Sequence, residues 1–164
     1  MDYVSTQNLI DVCDLYEHMC ECCDDDILEV KLDSFACAPT RAHSTDAGLD
    51  LRSPEDILVR ADSYATIDTG VHFRLPDGTC GLLVSKSGLN VKHDITSTGL
   101  IDASYRGSVV VKLYNHGSED YQIKRGDKIS QMVILPVIIP DCMALVEELD
   151  DTERGEGGFG SSGR

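Results

Sequence analysis

The chain contains no apolar run near the roughly 20 residues that a membrane-spanning helix needs, so no helical anchor is expected. It opens Met1-Asp2-Tyr3 without a basic n-region or an apolar h-region, and no secretory leader is predicted. Positive charge is scarce: 14 Lys and Arg face 29 Asp and Glu, a formal net charge of -15, which argues against binding a nucleic acid polymer. Residues 1–26 hold no Lys or Arg at all but eight acids. An even cysteine set is also missing. Seven cysteines, four of them crowded at Cys13, Cys20, Cys22 and Cys23, fit reduced thiols in a cytoplasmic protein better than a disulfide framework. His43, His72, His93 and His116 make no local ligand pair. Cys20 and Cys23 form a single CxxC, where a structural zinc site draws on two separated pairs, so packing along a helix face is the better account of them.

What is present divides into three parts. Leu9, Val12, Cys13, Tyr16, Met19, Cys20 and Cys23 recur at spacings of three and four, which predicts a short amphipathic helix within an acidic extension, residues 1–26. That extension could dock a protein partner or lie at the edge of an oligomer. From residue 27 the period changes to two. Leu28, Val30 and Leu32 alternate with polar residues, as do Ala65, Ile67, Thr69, Val71, Phe73 and Leu75. Further strands are expected over 81–84, 109–113, 129–135 and 143–146, with turns at Pro76-Asp77-Gly78, Asn115-His116-Gly117 and Arg125-Gly126-Asp127. No helix is predicted between them. Many short strands with this turn chemistry indicate an all-β core, residues 27–150, built as a distorted antiparallel barrel or jelly roll. Residues 151–164 then form a glycine-rich arm.

That arm, Arg154 to Arg164, combines five glycines with Phe159, Ser161, Ser162 and two arginines. Glycine lets backbone N–H groups approach phosphate, arginine matches phosphate bidentately, and phenylalanine can cover a base. A solvated tail is the alternative. Four upstream segments share its glycine-punctuated character: Ala47-Gly-Leu-Asp-Leu51, Ser85-Lys-Ser-Gly-Leu89, Gly99-Leu-Ile-Asp-Ala-Ser-Tyr-Arg-Gly107 and Gly126-Asp-Lys-Ile-Ser-Gln131. In this order and spacing the five resemble the motifs of the deoxyuridine triphosphate nucleotidohydrolases, the dUTPases, over residues 28–164.

The resemblance implies a dUTPase-like jelly roll in a homotrimer whose active sites lie at subunit interfaces. It also implies hydrolysis of dUTP to dUMP and pyrophosphate with Mg2+, limiting uracil in DNA and supplying the precursor of thymidylate. Asp102 is then the general base that activates water against the α-phosphorus. A turn aspartate that merely satisfies backbone N–H groups is the structural alternative. A hairpin at Gly99, Leu100 and Ile101 presents backbone groups to uracil, Tyr105 lies against the deoxyribose, and Thr96 occupies the position where many members read the uracil edge with asparagine. Lys86, Ser87 and Gly88 hold phosphate oxygens, and Gln131 donates to phosphate or to a metal-bound water. Asp50 orders metal-bound water or the Lys86 cation from behind. No direct protein ligand to magnesium is implied, because a hard ion that keeps its waters can be carried by the triphosphate. Arg154 meets the γ-phosphate, Phe159 stacks on uracil, and Gly160, Ser161 and Ser162 cover the terminal phosphate.

The chain departs from the family pattern at four places. Lys86 stands where arginine is usual, Ser85 where proline is usual, Thr96 for asparagine, and Ser104 for aspartate. Two rival functions follow from the same fold. A dCTP deaminase needs a glutamate after the third motif, and Val109-Val-Val-Lys-Leu-Tyr-Asn115 contains no acid. A regulatory protein that senses the nucleotide would not need Asp102 together with a complete arm.

Overall fold

The computed structural model describes residues 27–157. The predicted N-terminal helix, the Cys20–Cys23 pair, Phe159, Gly160, Ser161 and Ser162 lie outside the described residues.

Among the described residues, ten strands and one helix follow in order. They are β1 (Glu29–Leu32), β2 (Gly48–Arg52), β3 (Ile57–Val59), β4 (Ser63–Asp68), β5 (Val71–Arg74), β6 (Thr79–Val84), α1 (Ser87–His93), β7 (Ile95–Asp102), β8 (Val110–Asn115), β9 (Tyr121–Ile123) and β10 (Lys128–Pro136). Six of them hydrogen-bond in the order β2-β10-β6-β7-β8-β4, while β1 pairs with β5 and β3 with β9. Every registered pair is antiparallel. The sheet curls around Leu51, Val59, Ile67, Val71, Leu83, Ile95, Val111, Leu113, Ile123, Ile129 and Met132, each at most 2% exposed. This curled, all-β antiparallel fold agrees with the distorted barrel or jelly roll expected from the strands and turns.

The expected strand over 65–75 is divided at Thr69-Gly70. Gly70 has φ +66°, and a Cβ there would sit 2.7 Å from the Phe35 ring, so only glycine lets the chain turn under that aromatic. The turn keeps inside and outside positions in phase, which is why alternation alone could not reveal it. The three predicted turns are present, closed by Thr79 N–H to Pro76 O, Gly117 N–H to Asn115 Oδ1, and Asp127 N–H to Lys124 O. No strand forms at 143–146. Met143 and Leu145 are 87% and 94% exposed, so among the described residues nothing covers this apolar run.

Helix α1 was not expected. It buries no residue, and Gly88, Asn90 and Val91 are weak helix formers, so it has no apolar stripe to read. Local bonds hold it: Asn90 N–H to Lys86 O, and Asp94 N–H to Asn90 O with Asp94 left-handed at φ 54°.

Candidate active site

The registers decide which candidate residues meet. On the β2–β10 ladder Asp50 stands opposite Gln131, and Gln131 also faces Val84 across β6. Lys86 follows the end of β6 and turns back over the same point. Its Nζ lies 2.5 Å from Asp50 Oδ1, while Lys128 Nζ lies 2.6 Å from Asp50 Oδ2. Gln131 Nε2 donates to Ser85 O at 3.2 Å.

Asp50 is 4% exposed and its backbone is fixed by reciprocal bonds with Thr40, N–H to O at 2.8 Å and 3.2 Å. Burial alone raises the pKa of such a carboxyl. Here the hydrogen bonds and charges of Lys128 and Lys86 outweigh it, and Asp50 is held below the ordinary carboxylate range. These residues, with Asp46 and Gly48, line an open hollow of about 340 Å³. Gly48 makes room for the amide: a Cβ there would stand 2.7 Å from Gln131 Oε1. With two partly exposed ammonium groups and an amide donor, the hollow suits an anion. Ser87 begins α1 beside it, and the space around the Gly88 Cα is open.

Lys128 was missed in the sequence. In a regular strand, residues 128 and 131 point to opposite faces. The β2–β10 register shifts between Lys128 and Ser130, so Ile129 and Ser130 are both buried and Lys128 returns to the Gln131 side. A bulge leaves no mark in apolar periodicity. Its only trace was the presence of a cation inside the fourth glycine-punctuated segment.

Asp102 lies elsewhere. It pairs with Cys80 at the end of the β6–β7 ladder, whereas Val84 pairs with Thr98 at the other end, toward Lys86. From Cys80 to Lys86 is six residue steps at about 3.3 Å each, so Asp102 and the Lys86 cluster are on the order of 20 Å apart within one chain. Gly99, Leu100 and Ile101 run as strand rather than as a hairpin, because each pairs with β6; the turn begins only after Asp102. Their other edge is open. β8 pairs only with Ile95, Thr96 and Ser97, so among the described residues the far side of 98–102 has no strand partner.

Beyond Asp102 the chain turns through Tyr105 N–H to Asp102 O at 3.0 Å. The Tyr105 ring is 45% exposed and its hydroxyl donates to Ser108 O at 3.1 Å. A Cβ on Gly107 would collide with that hydroxyl. Thr96 is not brought to this turn. It sits at the Lys86 end of β7, its hydroxyl 2.9 Å from His116 Nε2. Arg154 is exposed, folded back so that Nε donates to Gly157 O at 2.9 Å.

Among the described residues no three of His, Cys, Asp and Glu converge as a metal site. Both Asp50 oxygens already accept from lysine, but each keeps a second lone pair, and Gln131 carries a free-standing acceptor as well. This donor set fits a hydrated magnesium ion brought on phosphate oxygens, contacted through its waters.

The dUTPase family profile matches residues 35–163, from the loop after β1 to the glycine-rich arm. The chain belongs to the dUTPase family. It is 45% identical over 128 residues to the deoxyuridine 5'-triphosphate nucleotidohydrolase of Candida albicans, covering 77% of this chain and 80% of that one. The enzyme of the same name from Clostridium acetobutylicum is 46% identical over 136 residues, covering 81% and 93%. Among solved structures, the dUTPase of Staphylococcus bacteriophage 80alpha with dUpNHpp superposes with a TM-score of 0.78 at 34% identity, covering 85% of this chain and 99% of that one. A mutant dUTPase of Staphylococcus aureus phage phi11, described as revealing the coordination of a structural Mg(II) ion, superposes at 0.69 with 33% identity, covering 75% and 98%. Family membership and the curled antiparallel fold therefore agree. No helix among the described residues is long and apolar enough to cross a membrane.

Proposed function

We propose that this dUTPase family member is a dUTP diphosphatase whose sites form between copies of the chain, with Asp102 from one and the Lys86, Lys128, Gln131 cluster from another. The observation that carries the reading is the separation along β6–β7. One chain holds the Lys86–Lys128 hollow and the exposed Asp102 turn about 20 Å apart, too far to act on adjacent atoms of one nucleotide. A homotrimer, in the cytoplasm, is the assembly we assign.

In this reading the triphosphate lies in the hollow. Lys86 and Lys128 lower its negative charge, Ser87 and Gln131 donate to its oxygens, and Gly88 admits the phosphate close to the backbone. Asp50 holds both ammonium groups at the hollow. The unpaired edge of Gly99, Leu100 and Ile101 faces uracil O2, N3 and O4. Cytosine would place its amino group against a backbone donor, and such a buried mismatch costs about 1–3 kcal/mol. Tyr105 packs on the deoxyribose where a 2′-hydroxyl would collide. Asp102 takes a proton from water; the water oxygen bonds to the α-phosphorus, the bond from that phosphorus to the bridging oxygen breaks, and pyrophosphate leaves. Bound magnesium supplies further charge neutralisation on the triphosphate, reached through water by Asp50 and Gln131. Residues 151–164 act as the arm over the site: Arg154 meets the γ-phosphate, Phe159 stacks on uracil, and Gly160, Ser161 and Ser162 cover the terminal phosphate. The products would limit uracil in DNA and feed thymidylate synthesis.

The test is pyrophosphate release from dUTP, dCTP, dTTP and UTP in parallel, with and without magnesium. Turnover of dUTP far above the other three is expected. Equal turnover of UTP, or none of dUTP, overturns the reading.

A further inference from the structure

The turn that follows Asp102 is tied to the rest of the molecule by a histidine that the site itself does not use. His72, on β5, is 15% exposed at its side chain and stands between two acceptors. Its Nδ1 is 2.8 Å from Arg106 O, in the turn, and its Nε2 is 3.1 Å from Asp33 Oδ2, just after β1. A neutral imidazole has one N–H and can satisfy only one of the two. The imidazolium satisfies both. In the neutral ring the carboxylate is the stronger acceptor and keeps the proton on Nε2, so the bare Nδ1 lone pair then faces the Arg106 carbonyl and repels it.

We infer that His72 is a positioning residue for hydrolysis: as an imidazolium it clamps the Asp102–Arg106 turn to Asp33, and loss of its proton frees the turn and lowers the rate. The inference rests on Asp102 being the base. Supporting it, the groups around the ring favour its charge. The Arg106 carbonyl first, and Asp33 second, raise the His72 pKa above its ordinary 6.5; burial and Lys31, opposite His72 on β1, act the other way. Asp68 at the end of β4 has its pKa held low chiefly by accepting from Ser108 Oγ, just past the turn, with the His72 charge a smaller cause. The Arg106 guanidinium is engaged within its own turn, donating to Ala103 O and Tyr105 O. Glu29 and Arg74, next along β1–β5, pair with each other. Val109 N–H to Val71 O at 2.8 Å anchors the far side of the turn on the same strand, so the His72 clamp closes the end nearer Asp102.

The experiment uses the full chain. The His72 ring is titrated by NMR, amide exchange is followed over residues 103–108, and kcat for dUTP is measured from about pH 5.5 to 9 in wild type, His72→Asn, His72→Gln and Asp33→Asn. The wild-type ring should titrate above 6.5, with kcat falling and exchange rising through that same pKa. Asn can place its amide N–H where Nδ1 was, so His72→Asn should retain most of kcat and lose the alkaline fall. Gln reaches Asp33 but not Arg106, and His72→Gln should lose about tenfold or more in kcat, since small misplacements of a reacting group cost that much. Asp33→Asn should move the alkaline fall to lower pH, which keeps the inference testable if a ring variant fails to fold. A ring titrating at or below its ordinary value, or an unchanged kcat and pH profile in His72→Gln, overturns it. Full turnover by Asp102→Asn would instead overturn the base assignment, leaving the titration and exchange results to stand on their own.

Discussion

Lys128 Nζ lies 2.6 Å from the Asp50 oxygen that Lys86 leaves free, so one buried carboxylate holds two cations at the lining of one hollow. The geometry makes Asp50 a determinant of stability and, in the proposed site, of affinity. Its folded-state pKa is depressed, so its contribution is present above the unfolded value near 3.8 and is lost as pH falls through the lower folded value. Acid unfolding curves of wild type and Asp50→Asn should therefore differ at neutral pH and converge once the pH falls below the depressed folded-state value. Both lysines are partly exposed, and the loss at neutral pH is put at about 1–3 kcal/mol, read by denaturant titration. KM for dUTP should rise in the same variant, because neither ammonium group is held in place.

Mixing variants tests where the site is assembled. Lys86→Ala and Asp102→Asn should each be nearly inactive alone, Asp102→Asn by about 10²- to 10⁴-fold in kcat. Unfolded together and refolded as mixed oligomers, they should regain part of the activity, since some sites then receive an intact Lys86 from one chain and an intact Asp102 from another. No recovery in demonstrably mixed oligomers would mean that both groups serve a site from the same chain.

Gly48 should prove important to affinity through space alone. In Gly48→Ala the new Cβ would stand 2.7 Å from Gln131 Oε1 and 3.2 Å from its Cβ, displacing the amide from Ser85 O. A several-fold rise in KM is expected, with a change in melting temperature of only a few degrees because the displaced group is the end of a long side chain. An unchanged KM would show that Gln131 takes no part in binding.

The C-terminal segment separates into two experiments. Deleting residues 154–164 should remove most activity and leave the melting temperature unchanged. Deleting from residue 137 also removes Ile138, Ile139, Met143 and Leu145, all more than 70% exposed on the single chain. If those side chains are covered by another copy, sedimentation should report a smaller assembly for the longer deletion only.

The alternating apolar residues of β1, β4 and β5, with the turn signals between the other strands, by themselves pointed to an all-β antiparallel core, because a two-residue period has one way of burying a face. Glycine-bearing turns at Gly78, Gly117 and Gly126 were legible for a similar reason: their chemistry is local. The motifs carrying Asp50, Lys86, Asp102 and Gln131 were legible too, as residue types in order along the chain. What tertiary structure alone decided was their neighbours. The β-bulge at Ile129 turned Lys128 toward Asp50, the β6–β7 register sent Asp102 to the end away from Lys86, and the β1–β5 pairing carried Asp33 and His72 to the Arg106 carbonyl. Each of these depends on which residue faces which across a ladder. Register is settled by the packing of the whole sheet, and no local stretch of sequence contains it.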